Sequence, residues 1–493
     1  SSAGSNNGEI RGMRALAVRI QPARVRAARR DNPRRAGVAH RQSDTAGATQ
    51  PGRHSRSDTA GAAQAERQNR GDTQPTRQTG CASVLGTTVL PNRRPRMPAP
   101  ASLARPITAG VVTALVGFTS SFVVVLAGLR AVGATPEQAA SGLLVLSLTM
   151  GLACVILAWR FKMPITVAWS TPGAALLAAT GAVEGGWPAV VGAFLLVGVL
   201  ILLTGLWPQL GGLIARIPPS LAQAMLAGVL LPLCLAPITG LVLNPWGVVP
   251  VVVTWLVFAR FAPRWAVPLA FVAAAVVVAV EVARAGVAID PALLLPRLEF
   301  TAPSFSLGAA IGIALPLFLV TMASQNVPGV AIMRSFGYEV PWRPAMVVTG
   351  VGTVLGATTG GHAINLAAIS AALAAAPEAE PDPKRRWVAG VSTGLSYLVL
   401  GGASAAFAAL VLLAPVAVIP AVAGLALLAA FGSAIQQAID DPGERIPAVI
   451  TFLVAASGVA ILGVSAAFWA LVAGLIVRTV LRLGRRRESD PAP

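Results

Sequence analysis

The sequence predicts an all-α polytopic membrane protein with about fourteen transmembrane spans. Of its 493 residues, 55% are hydrophobic and 12% are charged, whereas about a quarter of the residues in a soluble domain are charged. From Arg105 onward, apolar stretches of roughly twenty residues follow one another, and this is the length that crosses a bilayer as a helix. The pattern excludes a soluble enzyme, a secreted disulfide scaffold and a nucleic-acid-binding domain as the main body of the chain.

Residues 1–104 are predicted to be a disordered Arg-rich tail. They contain 18 Arg and 6 acidic residues, so most of the net charge of +18 lies outside the apolar part. Such a composition buries too little apolar surface to fold. One interpretation is a basic arm that binds anionic lipid or nucleic acid. The favoured one is a disordered appendage, for which a reading frame extended upstream of Met97 is one explanation, so no nucleic acid is expected as a partner.

Residues 105–485 contain the spans, and residues 486–493 form a short C-terminal tail. With the N-terminus in the cytoplasm, seventeen Lys and Arg residues fall on the inner side and three on the outer side, which agrees with the positive-inside rule. The even count then puts both termini in the cytoplasm. The predicted spans are 107–129, 138–159, 164–182, 187–206, 219–240, 246–261, 265–284, 307–332, 344–357, 359–376, 387–411, 416–437, 446–464 and 466–482.

Spans three and ten are abnormal. In residues 164–181 a helix is predicted to begin near Thr171, which caps it, with Pro172 at the first helical position. About twelve residues then remain, too few to cross a hydrocarbon core of about 30 Å. In residues 358–376 the Gly360-Gly361 pair discourages a helix, and the stretch from His362 is again short. Each of the two spans therefore predicts a brief extended strand that leads into a half-helix.

The two halves of the chain correspond. Leu129-Arg130-x-x-Gly133 ends the first span and Met333-Arg334-x-x-Gly337 ends the eighth. A repeat of seven spans reverses its orientation in the second copy, because seven is odd. The sequence therefore predicts a 7+7 inverted repeat with broken helices at matching places, an arrangement typical of alternating-access transporters.

The charges favour an anion as the ligand of these broken spans. The acidic residues after Arg105 fall in predicted loops, in the C-terminal tail or, for Glu281, in the last turn of a predicted span, so a cation site deep in the membrane is disfavoured. The N-terminus of a helix offers free N–H groups and a partial positive charge to a small organic anion. The alternative is that these helices are merely kinked by Pro and Gly. No nucleophile–base pair, P-loop or metal cluster is evident, so no catalytic residue, metal or cofactor is expected.

Candidate ligand contacts come from spans one, three, eight and ten. The eighth span contains Ser324-Gln325-Asn326, and at 100° per residue these three cannot all face one neighbour, so at least one of them could serve helix packing. Gln325 and Asn326 are neutral groups suited to a carboxylate or a carbonyl. Serine hydroxyls commonly bond back to their own helix, and membrane aromatic side chains often only pack. The candidate residues are Ser120, Ser121, Phe122, Trp169, Ser170, Thr171, Gln325, Asn326, Gly361, His362 and Asn365.

His362 is the only histidine outside the tail, and imidazole titrates near neutral pH. It is predicted to stand at the start of the second half-helix, with Asn365 one turn further on the same face. Proton coupling is one interpretation of His362. The other is a structural histidine that caps the helix.

Three ordered motifs, PITVAWSTPGAALL, ASQNVPG and GGHAINLAAISAA followed by PEAEPDPKRRW, resemble the BenE family of bacterial benzoate transporters. The similarity runs over essentially all of 105–485. It implies the fourteen-span fold of the uracil and anion transporters, in which a core domain (105–210 and 303–412) carries substrate past a gate domain (211–302 and 413–485). It also implies elevator-like benzoate–proton symport across the bacterial inner membrane and, by analogy, a homodimer formed through the gate domain.

The uracil branch of that fold has a glutamate in its eighth span and an acidic residue in its tenth, whereas this sequence has Gln325 and His362 near those places. Because carboxylates repel an anion, the difference favours a carboxylate substrate over uracil. Two alternatives stay open. One is a transporter or exchanger of another anion, such as sulfate or a different organic acid, and the other is an uncoupled anion channel.

Overall fold

The computed structural model describes residues 103–488 apart from 208, 210–211, 213–217, 287–290, 369 and 462–463. The predicted N-terminal tail therefore lies outside the described residues, except for its last two. The helices of the described part, numbered in chain order, are α1 (Ala104–Thr119), α2 (Phe122–Ala131), α3 (Pro136–Phe161), α4 (Thr171–Thr180), α5 (Gly186–Leu206), α6 (Pro219–Leu243), α7 (Pro245–Phe261), α8 (Ala266–Ala285), α9 (Leu307–Ser335), α10 (Trp342–Ala357), α11 (Ala371–Ala375), α12 (Trp387–Gly402), α13 (Ser404–Leu413), α14 (Val418–Ile439), α15 (Arg445–Ala456) and α16 (Ala466–Glu488). Its strands are β1 (Val167–Trp169) and β2 (Ile364–Leu366).

Eight helical segments of the described part are long and apolar enough to cross a membrane, and the α12–α13 pair, bent by 54°, makes nine. The predicted membrane class is therefore confirmed. The other predicted spans fall on shorter elements, including α7 with 17 residues and α15 with 12. Fourteen crossings in a 7+7 inverted repeat stay a prediction. The last helix continues to Glu488 and so includes the first three residues, 486–488, of the predicted C-terminal tail.

The first span is interrupted where a continuous helix was predicted. α1 ends at Thr119 and α2 begins at Phe122. The hydroxyls of Ser120 and Ser121 both donate to the carbonyl of Gly117, at 2.9 and 3.3 Å. Side chains that bond back to the preceding turn compete with the backbone and bend helices, which accounts for a break at this Ser-Ser pair.

α9 contains two π-helical turns, Ala310–Ala314 and Met322–Asn326. Single π-turns inside α-helices occur frequently at functional sites. The second turn contains the Ser324-Gln325-Asn326 run, so these side chains do not follow the 100° spacing of the prediction. Ser324 and Asn326 are buried, and Gln325 is half-buried.

β1 and β2 form an antiparallel pair in the register Val167↔Leu366, Ala168↔Asn365 and Trp169↔Ile364. One more hydrogen bond at each end lengthens the pair: the Ser170 N–H donates to the Ala363 carbonyl, and the Ala367 N–H donates to the Thr166 carbonyl, both at 2.9 Å. The pair joins span three to span ten across about two hundred residues of chain.

Side chains from three helices satisfy outward-facing N–H groups of this small sheet. The Val167 N–H donates to Cys154 Sγ of α3 at 3.0 Å. The N–H groups of Ile364 and Leu366 donate to Thr353 Oγ1 of α10 at 3.1 Å and to Asn326 Oδ1 of α9 at 2.9 Å. An unsatisfied backbone group costs several kcal/mol where no water is present, so these acceptors allow a strand to exist within a membrane protein.

Two local predictions were wrong. Ser170 rather than Thr171 caps α4, because its Oγ accepts the Gly173 N–H. The second half-helix does not begin at His362: Asn365 lies within β2, and α11 begins only at Ala371 and is five residues long. The residues after His362 are extended because their backbone groups pair with β1.

Candidate functional site

The first half-helix begins at a polar junction with α9. Ser170 Oγ accepts the Gly173 N–H at 3.1 Å and lies 2.8 Å from Thr321 Oγ1, and both hydroxyls are buried. The Ala174 N–H donates to the Ser170 carbonyl, and Pro172 has no N–H. Within the described residues, the Thr171 N–H is therefore the first-turn donor of α4 without a partner.

Five aromatic rings, which we call the aromatic cluster, converge beside this junction. Their neighbouring centroids lie 4.9–6.0 Å apart, within the range of aromatic pairs. The rings come from α1, α2, β1, α8 and α13, so the cluster forms only in the folded chain. Its members are Phe118, Phe122, Trp169, Phe271 and Phe407.

Ser121 fixes the position of the indole in this cluster. The Trp169 Nε1–H donates to Ser121 Oγ at 2.8 Å, and the Ser121 hydroxyl in turn contacts the Gly117 carbonyl. The break between α1 and α2 thus meets the end of β1 directly. Ser120, in contrast, directs its hydroxyl to the carbonyl of its own helix.

Gln325 and Asn326, which the sequence treats alike, have different surroundings. Asn326 is fully buried, and its amide accepts the Leu366 N–H and donates to Met322 Sδ at 3.2 Å, so it holds β2 onto α9. Gln325 is half-buried and lies four residues after Thr321, and its side chain makes no hydrogen bond to another described residue. Its amide is therefore the one of the two that is free for a ligand.

His362 lies apart from the aromatic cluster. It is fully buried, and neither ring nitrogen has a hydrogen-bond partner among the described residues. Its ring neighbour is Phe194 of α5, edge-to-face at 6.3 Å, and Phe194 in turn meets Trp187. His362 directly precedes Ala363, whose carbonyl accepts the Ser170 N–H. Backbone rather than side chains thus links the histidine to the start of α4.

Asn365 and Gly361 complete the predicted set in span ten. The Asn365 Nδ2 donates to the Leu366 carbonyl at 2.8 Å, while its buried Oδ1 has no partner among the described residues. A Cβ on Gly361 would lie 2.9 Å from Val145 Cγ1, so this glycine allows close packing on α3. The structure thus brings together Ser121, Phe122, Trp169, Ser170 and Thr171, whereas Gly361, His362 and Asn365 lie along β2 and its entry.

Fixed negative charge is absent from this region of the described chain. The buried acidic residues are Glu380 and Glu444, and both lie in connections between helices. Glu444 pairs with Arg478 and Arg482 of α16 at 2.8 and 2.6 Å. Among the described residues, no group of three His, Cys, Asp or Glu could hold a metal ion.

The sequence interpretation missed four residues of this region. Phe118 could have been found, because it precedes Phe122 by four positions and so shares its side of the span. Thr321 has the same relation to Gln325. Phe271 and Phe407 carry no local signal, because each is one apolar residue in an ordinary apolar span and only tertiary packing brings it to the cluster.

Two short helices, each preceded by a strand, whose strands pair with one another inside a helical membrane protein are typical of membrane transporters. Residues 101–480 match the family model described as "Benzoate membrane transport protein" (BenE). The chain belongs to this family, and the predicted resemblance is confirmed.

Two curated relatives and one solved structure extend the comparison. The inner membrane protein YdcO of Escherichia coli strain K12 is 37% identical over 378 residues, which cover 76% of this chain and 96% of the relative. The benzoate membrane transport protein of Acinetobacter baylyi is 30% identical over 378 residues, covering 76% and 94%. The overall structure of SLC26A9 aligns with a TM-score of 0.53 at 13% identity, covering 78% of this chain and 66% of that one. This last likeness shows a shared fold alone.

Proposed function

We propose that the protein imports benzoate, or a closely related aromatic monocarboxylate, together with a proton across the bacterial inner membrane. The observation that carries the proposal is the aromatic cluster directly beside the capped start of α4, with no carboxylate nearby. Membership of the benzoate transport family supports it, as does the printed name of the 30% identical relative. The proposed partners are thus a small aromatic carboxylate, a proton and the lipid bilayer.

The benzoate ring needs apolar and aromatic contacts, whereas its carboxylate needs hydrogen-bond donors. Neighbouring parts of this region offer both. Rings of the cluster offer edge-to-face and stacked partners for a benzene ring. The carboxylate can accept from the free Thr171 N–H and from the uncommitted Gln325 amide. The start of the ten-residue α4 adds a partial positive charge, which favours an anion.

His362 is the proposed proton-coupling residue. It is the only histidine of the described part, and its buried imidazole has two nitrogens without partners. It stands one residue from the carbonyl that holds Ser170, so a proton gained there acts on the backbone at the start of α4. Elevator-like movement of residues 105–210 and 303–412 past 211–302 and 413–485 is the proposed route, and assembly as a homodimer is part of the same proposal.

Uptake of labelled benzoate into proteoliposomes that contain the full chain tests the proposal. An outside pH of about 7.5, far above the carboxyl pKa of about 4, limits leakage of the neutral acid, and empty liposomes are the control. We expect protein-dependent accumulation that needs an inward proton gradient and collapses with an uncoupler. Uptake no greater than in the empty liposomes contradicts benzoate as substrate, and other organic and inorganic anions are then compared in the same vesicles.

Replacing His362 with Ala separates transport from coupling. Gradient-driven accumulation should be lost while exchange of internal for external benzoate persists, because the titratable group is gone but the ligand contacts remain. Phe194→Leu is the matched control, since it removes the ring contact and keeps the imidazole. Unchanged accumulation by the His362→Ala protein excludes His362 from the coupling step.

Replacing Gln325 with Glu places a negative charge beside the proposed carboxylate position. Benzoate binding at neutral pH should weaken at least about tenfold, which corresponds to about 1.4 kcal/mol. Gln437→Glu makes the same change at an exposed position of α14 and is the control. Equal benzoate affinity of the two variants would place the carboxylate elsewhere.

A further inference from the structure

We propose that Phe271 sets the upper size limit for the aromatic ring of the substrate. The inference rests on the proposed function, since it concerns the ring of an aromatic carboxylate. Phe271 is 8% exposed, and its ring meets Phe122 edge-to-face, with centroids 4.9 Å apart and planes at 87°. It also lies 6.0 Å from Phe407.

Phe271 is the one aromatic residue among the buried residues of α8, and the others are small or of moderate size. α8 turns Val272, Val276 and Val280 outward, each at least 41% exposed. Its buried residues are Ala266, Pro268, Ala270, Phe271, Ala274 and Val278. Alanines allow close approach of neighbouring helices, so the phenyl group at 271 projects into the rest of the molecule where its neighbours on the helix do not.

Three of the other four rings of the cluster belong to β1 or to the first span; the fourth, Phe407, lies in α13 and makes ring contacts. Trp169 is fixed by its hydrogen bond to Ser121, and Phe118 and Phe122 stack on one another at 5.6 Å across the α1–α2 break. The Phe271 side chain makes no hydrogen bond, and Phe271 comes from residues 211–302, the segment that the family resemblance assigns to the gate domain. A substrate ring that contacts Trp169, Phe118 or Phe122 on one face would therefore contact Phe271 on its other face.

Admission of a planar ring requires the cluster to part, because the neighbouring rings are already in contact. The three rings of β1 and the first span keep their positions, so the space that opens is bounded by Phe271 and Phe407, and of these two only Phe271 comes from residues 211–302. A smaller side chain at 271 should then favour a larger ring relative to benzoate, whatever the loss in benzoate binding that follows from removing one ring of the cluster. A purely structural Phe271 predicts something else: lower stability or lower activity with every substrate alike.

The test compares competition by 2-naphthoate with competition by unlabelled benzoate, both against labelled benzoate uptake by the full chain in proteoliposomes. We expect Phe271→Ala to lower the ratio of the two inhibition constants, naphthoate over benzoate, by at least about tenfold. Phe271→Leu should lower it by about threefold. Phe468→Ala is the matched control, because Phe468 is a half-buried residue of α16 that pairs with Trp469, outside the cluster; its ratio should equal that of the unchanged protein.

An unchanged ratio in Phe271→Ala overturns the inference while the proposed function stands. If Phe271→Ala fails to fold, an unchanged ratio in Phe271→Leu overturns it equally. Failure of the unchanged protein to take up benzoate removes the proposed function, and the inference falls with it.

Discussion

The two half-crossings, β1–α4 and β2–α11, occupy matching places in the chain but differ in how they are held. The first has a helix of ten residues whose start is capped by Ser170. The second has a helix of five residues with no side-chain cap at Ser370. The capped start of the longer helix is the one to which the proposed function assigns the substrate carboxylate.

The second half-crossing is held by a buried cation instead. Arg386 is 5% exposed. Its guanidinium donates to three backbone carbonyls: Nε to Glu380 at 2.6 Å, Nη1 to Ala375 at 2.9 Å and Nη2 to Pro381 at 3.4 Å. Ala375 is the last residue of α11, so the cation binds the negative end of this helix. The short helix is therefore specified by tertiary contacts rather than by its own sequence.

The largest effect is expected from Arg386→Gln. Removal of the guanidinium leaves three carbonyls without their shared donor, and hydrogen bonds to charged groups are individually strong, so we expect a loss of about 3 kcal/mol in unfolding free energy. Thermal unfolding in detergent measures it. Lys384→Gln removes an exposed cation from the same connection and should change little. Similar melting temperatures for both variants would mean that α11 does not depend on Arg386.

A second effect distinguishes two asparagines that are equally buried. Asn326→Ala leaves the Leu366 N–H without an acceptor and should cost about 1–3 kcal/mol. Asn365→Ala removes a side chain whose Oδ1 is already unpaired among the described residues, so its cost should be clearly smaller. The same unfolding measurement decides the order. A reversed order would show that β2 does not rely on its anchor in α9.

The smallest effect concerns the two helix starts. Ser170→Ala should cost about 1 kcal/mol, as expected for a lost N-cap. Ser370→Ala should stay within about 0.5 kcal/mol, because Ser370 makes no cap hydrogen bond. Chemical denaturation resolves differences of this size when the two variants are measured in parallel. An equal loss in both would remove the asymmetry proposed for the two crossings.

The sequence predicted much of this architecture from local patterns. Hydropathy located the apolar helices, and the Pro and Gly residues of spans three and ten predicted a strand before each half-helix. The prediction that Asn365 lies in the second half-helix was wrong, because Asn365 is held in a strand by its pairing with Ala168, about two hundred residues earlier. Likewise, nothing local to Phe271 indicates that it reaches Phe122. Pairings over such distances are set by tertiary structure, which periodicity does not encode.

The anchoring of β1 and β2 also has a consequence for how the chain is made. β1 lacks its partner until β2, 197 residues later, has been synthesised, which takes roughly 10–40 s at 5–20 residues per second. Thr353 and Asn326, which accept N–H groups of β2, also come from the second half of the chain. During this interval span three has unpaired backbone groups that lipid cannot satisfy. We therefore expect β1 to stay unpaired at the membrane until residues 364–366 have been made, so that the two strands are completed together.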